Sequence, residues 1–153
     1  MCHYSLHIKE TFMFKLLIVN LSICFLAACQ TLAPKDDSLY KNLGELEGIT
    51  KIVEIFIYEI GESEQTLHHF EHTDIDRFRE KQIEHVCALT GGPCEYTGDE
   101  MLEVHQGMNI TDADFNIITN ALIRALDQAK VSISDRNRLL TIIASMHSEV
   151  VYK

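Results

Sequence analysis

The sequence predicts an all-α fold, two pairs of helices stacked as a two-over-two sandwich. Three observations predict it. Apolar residues recur at 3.6-residue spacing over four long segments, and strand-like alternation is nearly absent. The chain has only two prolines, Pro34 and Pro93, and both fall at segment boundaries. Two strongly amphipathic segments close the chain and another pair lies earlier, so each pair can bury its apolar stripe against the other.

Taken in order, a short helix is expected at about 38–43. A second at about 47–60 carries Ile49, Ile52, Val53, Phe56, Ile57 and Ile60. A single turn follows near 64–69. A helix at about 74–89 carries Ile75, Phe78, Gln82, Ile83, Val86 and Leu89. Gly91, Gly92 and Pro93 mark a loop, with a short turn or helix at about 99–105. A long helix at about 112–129 shows Phe115, Ile118, Leu122, Ile123 and Leu126. A last helix at about 135–151 shows Leu139, Leu140, Ile143, Met146 and Val150.

The first 30 residues do not read as part of this domain. Lys15 precedes an apolar run over 16–28 that is too short for a membrane span and suits a signal-peptide core. Leu26, Ala27 and Ala28 then precede Cys29. This resembles the lipobox of bacterial lipoproteins, which implies acylation of Cys29. The alternatives are a plain membrane anchor or a buried first helix. The expected organisation is a lipoprotein signal peptide at 1–28, a tether at 29–37 and one domain at 38–153. Gln30 is not Asp, so the same resemblance implies the periplasmic side of the outer membrane rather than the inner.

Cleavage before Cys29 leaves 125 of the 153 residues, one domain able to bury a core. Losing Lys9, Lys15 and Glu10 leaves 11 Lys+Arg against 22 Asp+Glu. That acidity argues against nucleic acid and anionic lipid as partners, so membrane attachment would come from the lipid anchor alone. Cys87 and Cys94 remain in the domain. Oxidising conditions allow a disulfide between them, and two free thiols are the alternative. No Cys-x-x-Cys-His occurs, so covalent c-type haem attachment is not expected.

The most informative stretch is ValHisGlnGlyMetAsnIleThr, residues 104–111. His105 ends a short helical segment. Gly107 and Asn109, residue types that stop a helix, follow it. Thr111 opens the next helix, with Asp114 three residues on as a capping partner. An imidazole is thus held at a helix C-terminus, facing a corner between two helices. One ring nitrogen can bind iron while the other donates to a free carbonyl of the helix end.

With GlyGlyProCysGluTyrThrGly (91–98) upstream, these residues resemble the truncated haemoglobins of group I. The resemblance runs from about Ser38 to Lys153. It implies non-covalent haem b, with His105 as the proximal iron ligand. Leu43-Gly44 matches a turn that usually has two glycines; here Glu45 takes the second place. Phe56 matches an aromatic that packs beside the haem, and Phe70 one that stacks on it. Lys81 matches a basic residue that pairs with a propionate. Gln82 matches a distal glutamine that hydrogen-bonds bound O₂, with Phe78 one turn earlier as an apolar gate. Tyr96 and Thr97 lie in the loop typical of the family, and Met101, Ile110 and Phe115 follow at the usual spacing. The implied cofactor-binding set also includes Ile57, Val86 and Ile118.

One departure matters. Many members carry a distal tyrosine directly after the phenylalanine of the second helix, where this chain has Ile57. Tyr58 is one step, about 100°, further round the helix. It reads as a surface tyrosine unless a local adjustment turns it inward. His68, His69 and His72 read as a solvated corner flanking Phe70, without the ligand pattern of a zinc site. His85 reads as helix surface.

These residues imply a globin that reversibly binds O₂, with NO and CO as further ligands. Conversion of nitric oxide by bound O₂ is an expected redox activity and would need an unidentified electron donor. The alternatives are a non-catalytic haem-based sensor or haem-handling lipoprotein, and a haem-free, His-rich metal-binding lipoprotein.

Overall fold

The computed structural model describes residues 35–153. The expected signal peptide, the acylation at Cys29 and most of the tether lie outside the described residues.

The described residues fold into helices only. Helix α1 spans Ser38–Asn42 and α2 spans Glu45–Gly61. Residues Ile49, Ile52, Val53, Phe56 and Ile60 recur at helical spacing on one face of α2, and all are buried. Helix α3 spans Glu64–Leu67 and runs into a 3₁₀ turn, His68–Phe70. Helix α4 spans Ile75–Leu89; the Asp74 carboxylate caps it by accepting from the Arg77 N–H at 3.1 Å. Helix α5 spans Met101–His105. Helix α6 spans Asp112–Gln128 and opens on the expected capping box, in which Thr111 and Asp114 satisfy each other's backbone N–H. Helix α7 spans Ile133–Ser145, capped by Ser132, and α8 spans His147–Val150.

Helix α2 is the centre of the packing. It lies against both α4 and α6, while α1 packs on α7 and α5 on α8. The two pairs, α2 with α4 and α6 with α7, form the two-over-two sandwich. Its core holds Ile49, Ile52, Val53, Leu126 and Leu139, none more than 2% exposed. Arg79 pairs with Glu54, and Arg124 with Glu59, so α4 and α6 are each also tied to α2 by charge. Both arginines are half-exposed, so these pairs add little beside the buried apolar area. Cys87 and Cys94 form a disulfide, which settles the choice between paired and free thiols. Among the described residues no helix is long and apolar enough to cross a membrane.

The last helix differs from expectation. Apolar periodicity continues to Val150, but the helix ends at Ser145 and restarts as α8. Thr141 and Ser145 hydroxyls donate to the carbonyls of Asn137 and Ile142, a substitution for backbone bonding that loosens helices. The end of the chain is pulled aside by partners distant in sequence. The imidazole of His147 lies 2.9 Å from the Asp112 carboxylate and meets the Phe115 ring edge-on. The Tyr152 N–H donates to the Ile110 carbonyl and the Gly107 N–H to the Lys153 carbonyl. Periodicity cannot register contacts of that kind.

The turn before α2 shows why two glycines are usual there. Gly44 has φ of 88° and Glu45 φ of 57°, both left-handed. Such a backbone costs a residue with a Cβ roughly 1–2 kcal/mol. Two terms oppose removing it: glycine loses more entropy on folding, and a carboxylate at a helix N-terminus contributes about 0.3–1 kcal/mol. Glu45→Gly should therefore raise stability by about 0.5 kcal/mol in urea unfolding. A loss would mean that the charge at the helix start outweighs the strain.

Candidate functional site

A cavity of about 520 Å³ lies between the two helix layers. Such a volume falls within the range of about 300–1,000 Å³ usual for small-molecule sites. One wall comes from α2, with Ile52, Val53, Phe56 and Ile60, and from α4, with Phe78, Gln82, His85 and Val86. The spacings 78, 82, 85 and 86 put all four α4 residues on one helical face. The opposite wall carries Met101, Val104, His105, Met108 and Ile110, followed by Phe115, Ile118 and Leu122 of α6. Ile143, Met146 and Val150 close the far end. Phe70 meets Phe78 edge-on at 5.5 Å between ring centroids, joining the corner after α3 to α4.

His105 stands where α5 ends. Its Nδ1 lies 2.7 Å from the Met101 carbonyl oxygen. A carbonyl can only accept, so Nδ1 carries the proton and Nε2 keeps its lone pair for a ligand. The loop that follows needs left-handed backbone, with φ of 82° at Gly107 and 51° at Asn109. The bonds from Gly107 to Lys153 and from Tyr152 to Ile110 then clasp this corner from outside.

On the other layer, Lys81 is held by its own neighbours. Its ammonium donates to Glu84 at 2.9 Å and to the Thr97 hydroxyl at 2.7 Å. Glu84 also accepts from the Thr97 N–H at 3.0 Å. These donors hold the Glu84 carboxyl at about 2, well below its ordinary 4.5; the Lys81 hydrogen bond is the largest cause. The loop that supplies Thr97 is pinned at its base by the Cys87–Cys94 disulfide and by Gly92. A Cβ on Gly92 would come within 2.6 Å of both the Cys87 sulfur and the Tyr40 ring.

The structure brings Phe56, Phe70, Phe78, Gln82, Val86, Met101, His105, Ile110, Phe115 and Ile118 onto one cavity. Three residues of the sequence-derived set are not on its lining. Ile57 packs into the core beside it, because the face of α2 turned to the cavity is centred on Phe56. Lys81 is turned to Glu84 and Thr97. Tyr96 stands behind the wall, its hydroxyl donating to the Asp99 carbonyl at 2.8 Å. Tyr58 is 65% exposed and lies at the surface.

Two histidine readings need correction. His85 is not on the helix surface: it lines the cavity, half-buried, with its ring 4.6 Å from that of Tyr96. Gln82 and His85 are three residues apart on α4, and that spacing was the available signal. In the corner of His68, His69 and His72, His68 and His72 are exposed as expected and only His69 departs, although all three border the cavity. The His69 side chain is only 9% exposed, and its Nε2 lies 3.8 Å from an Asp114 oxygen, too far for a hydrogen bond. The Thr111 hydroxyl and N–H, followed by the nearby histidines, hold the Asp114 carboxyl below its ordinary value. Among the described residues no three His, Cys, Asp or Glu side chains converge to hold a metal ion.

Residues 38–152 match the bacterial-like globin family. The chain belongs to that family. Among its relatives, this globin is 34% identical to the group 1 truncated hemoglobin GlbN of Mycolicibacterium paratuberculosis over 113 residues, 74% of this chain and 83% of the relative. It is 28% identical to the group 1 truncated hemoglobin of Tetrahymena pyriformis over 119 residues, 78% of this chain and 98% of the relative. The crystal structure of the T. pyriformis truncated hemoglobin in its Fe(III) form superposes with a TM-score of 0.73, covering 75% of this chain and 98% of that one.

The low value at Glu84 gives a pH dependence with a definite sign. A depressed carboxylate stabilises the fold above its unfolded value and loses that contribution as pH falls towards its folded value. The globin should therefore lose stability between about pH 4.5 and 2 through Glu84. In Glu84→Gln this component should be absent from melting curves taken across that window. An unchanged acid profile in the variant would remove Glu84 from the account.

Proposed function

We propose that this globin holds one non-covalent haem b in the cavity and reversibly binds O₂ there. The observation that carries the reading is the His105 imidazole, fixed through Nδ1 with Nε2 left for iron on the wall of an apolar cavity. The fit rests on the lining. Apolar side chains dominate both walls, the space suits a flat amphipathic cofactor, and one oriented imidazole is present. When bound, the haem supplies an iron that takes diatomic ligands: O₂, CO or NO.

The chain's own residues set the rest. His105 would hold the iron from one side, and the Met101 carbonyl keeps its ring in one tautomer and one orientation. Gln82, on the opposite wall, would donate from its amide to a ligand that gains negative charge. Phe78, Val86 and Phe56 exclude water from that side. Lys81 could pair with a haem carboxylate only by leaving Glu84 and Thr97, so it contributes little to haem retention. Conversion of nitric oxide with bound O₂ to nitrate extends the same reading and requires an electron donor outside this chain. The Leu26-Ala27-Ala28-Cys29 pattern supports export and lipid attachment at Cys29, on the periplasmic side of the outer membrane.

His105→Ala should lose the Soret band of the ferrous and ferric protein, measured after purification with added haem. An unchanged band would mean that another side chain ligates the iron. Gln82→Leu should speed O₂ release about tenfold, the equivalent of roughly 1.4 kcal/mol for one hydrogen bond to a charged acceptor, and barely change CO release. Equal effects on both ligands in stopped-flow displacement would point to packing instead of hydrogen bonding. Cys29→Ser should abolish incorporation of labelled fatty acid and release the globin from membranes. If the unsubstituted chain incorporates no label, the anchor assignment is wrong.

A further inference from the structure

We propose that His85 is a second distal hydrogen-bonding residue, acting together with Gln82 on the ligand bound in the cavity. The proposal rests on the haem reading above. His85 stands three residues after Gln82 and seven after Phe78, so the three share the face of α4 that lines the cavity. Its ring is supported from behind. Tyr96 packs against it with ring centroids 4.6 Å apart and planes inclined by 36°, and Tyr96 is itself fixed by its hydrogen bond to the Asp99 carbonyl. The loop carrying Tyr96 is tied to α4 at two points, the Cys87–Cys94 disulfide and the Thr97–Glu84 hydrogen bonds.

Among the described residues no hydrogen bond holds the His85 imidazole. A half-buried polar ring with a fixed back and its front on a cavity has hydrogen-bonding capacity free for a ligand inside that cavity. Burial lowers the imidazole below its ordinary value, and Glu100 opposes this only in part, so the ring is neutral at pH 7. A neutral imidazole offers one donor and one acceptor. The donor suits a ligand that has gained negative charge. The α2 side of the cavity offers no such group, since Ile52, Val53, Phe56 and Ile60 face it and Ile57 does not. Gln82 and His85 are therefore the polar side chains that α2 and α4 present to the ligand.

The test uses the haem-loaded full chain and three variants: His85→Phe, His85→Gln and Gln82→Leu. Phenylalanine keeps a ring against Tyr96 and removes both nitrogens; glutamine restores a donor. The C–O stretch of the CO complex reports the electrostatic field at the ligand, which a purely structural role would not move. His85→Phe should raise that frequency and speed O₂ release about three- to tenfold, and His85→Gln should recover most of the change. An unshifted stretch and unchanged O₂ release in His85→Phe, with an intact Soret band, would overturn the proposal. So would a six-coordinate ferrous spectrum that disappears in His85→Phe, because His85 would then bind iron itself. If the unsubstituted chain shows no Soret band, the haem reading fails first, and that result is distinct from both.

Discussion

The hydrogen bond from His105 Nδ1 to the Met101 carbonyl is the constraint on which the site depends. It forms because Met101 stands one turn before the histidine on the five-residue α5, which brings its carbonyl oxygen within reach of the ring. An isolated helix that short is unstable in water. It must be held by what surrounds it. The chain end does this, with α8 packed on α5 and two backbone hydrogen bonds from Gly107 and Tyr152 closing over the corner. The Thr111–Asp114 capping box fixes where α6 begins, and hence where Ile110, Phe115 and Ile118 stand relative to the imidazole. A break in the last helix is thus part of how the His105 imidazole is oriented.

The facing layer is built differently. Helix α4 is long enough to stand on its own packing against α2, and its cavity face carries Gln82 and His85 between Phe78 and Val86. Its outer edge is tied to the loop over 90–98 by a disulfide, a buried glycine contact and the Lys81–Glu84–Thr97 cluster. These ties hold Tyr96 against His85. A loop tied down behind α4 holds the His85 ring on that wall before any ligand arrives, which lowers the ordering needed on binding.

Much of this was legible in the sequence because it is local. The 3.6-residue spacing placed α2, α4, α6 and α7, and the helix-stop residues Gly107 and Asn109 placed His105 at a terminus. Thr111 and Asp114 read directly as a cap. What escaped was tertiary. Ile57 matched a distal position by alignment with its neighbours, yet the face of α2 turned to the cavity is set by its packing on α4 and α6. His85 looked like surface because nothing in its own helix shows that a tyrosine eleven residues later folds back over it. His69 looked solvated like its neighbours because Asp114 lies forty-five residues beyond it. Lys81 matched a carboxylate-binding position, but a glutamate one turn away on its own helix takes it instead.

The most direct test is titration of the haem-free globin with ferric haem while following both the Soret band and thermal unfolding. A cavity of this size between the layers, left unfilled, weakens the packing of both walls, and a ligand bound by the folded state alone stabilises it by mass action. The account predicts saturation at one haem per chain and a rise in the melting midpoint of several degrees that saturates at the same ratio. Haem uptake without a break at one equivalent, or with no change in melting midpoint, would contradict it.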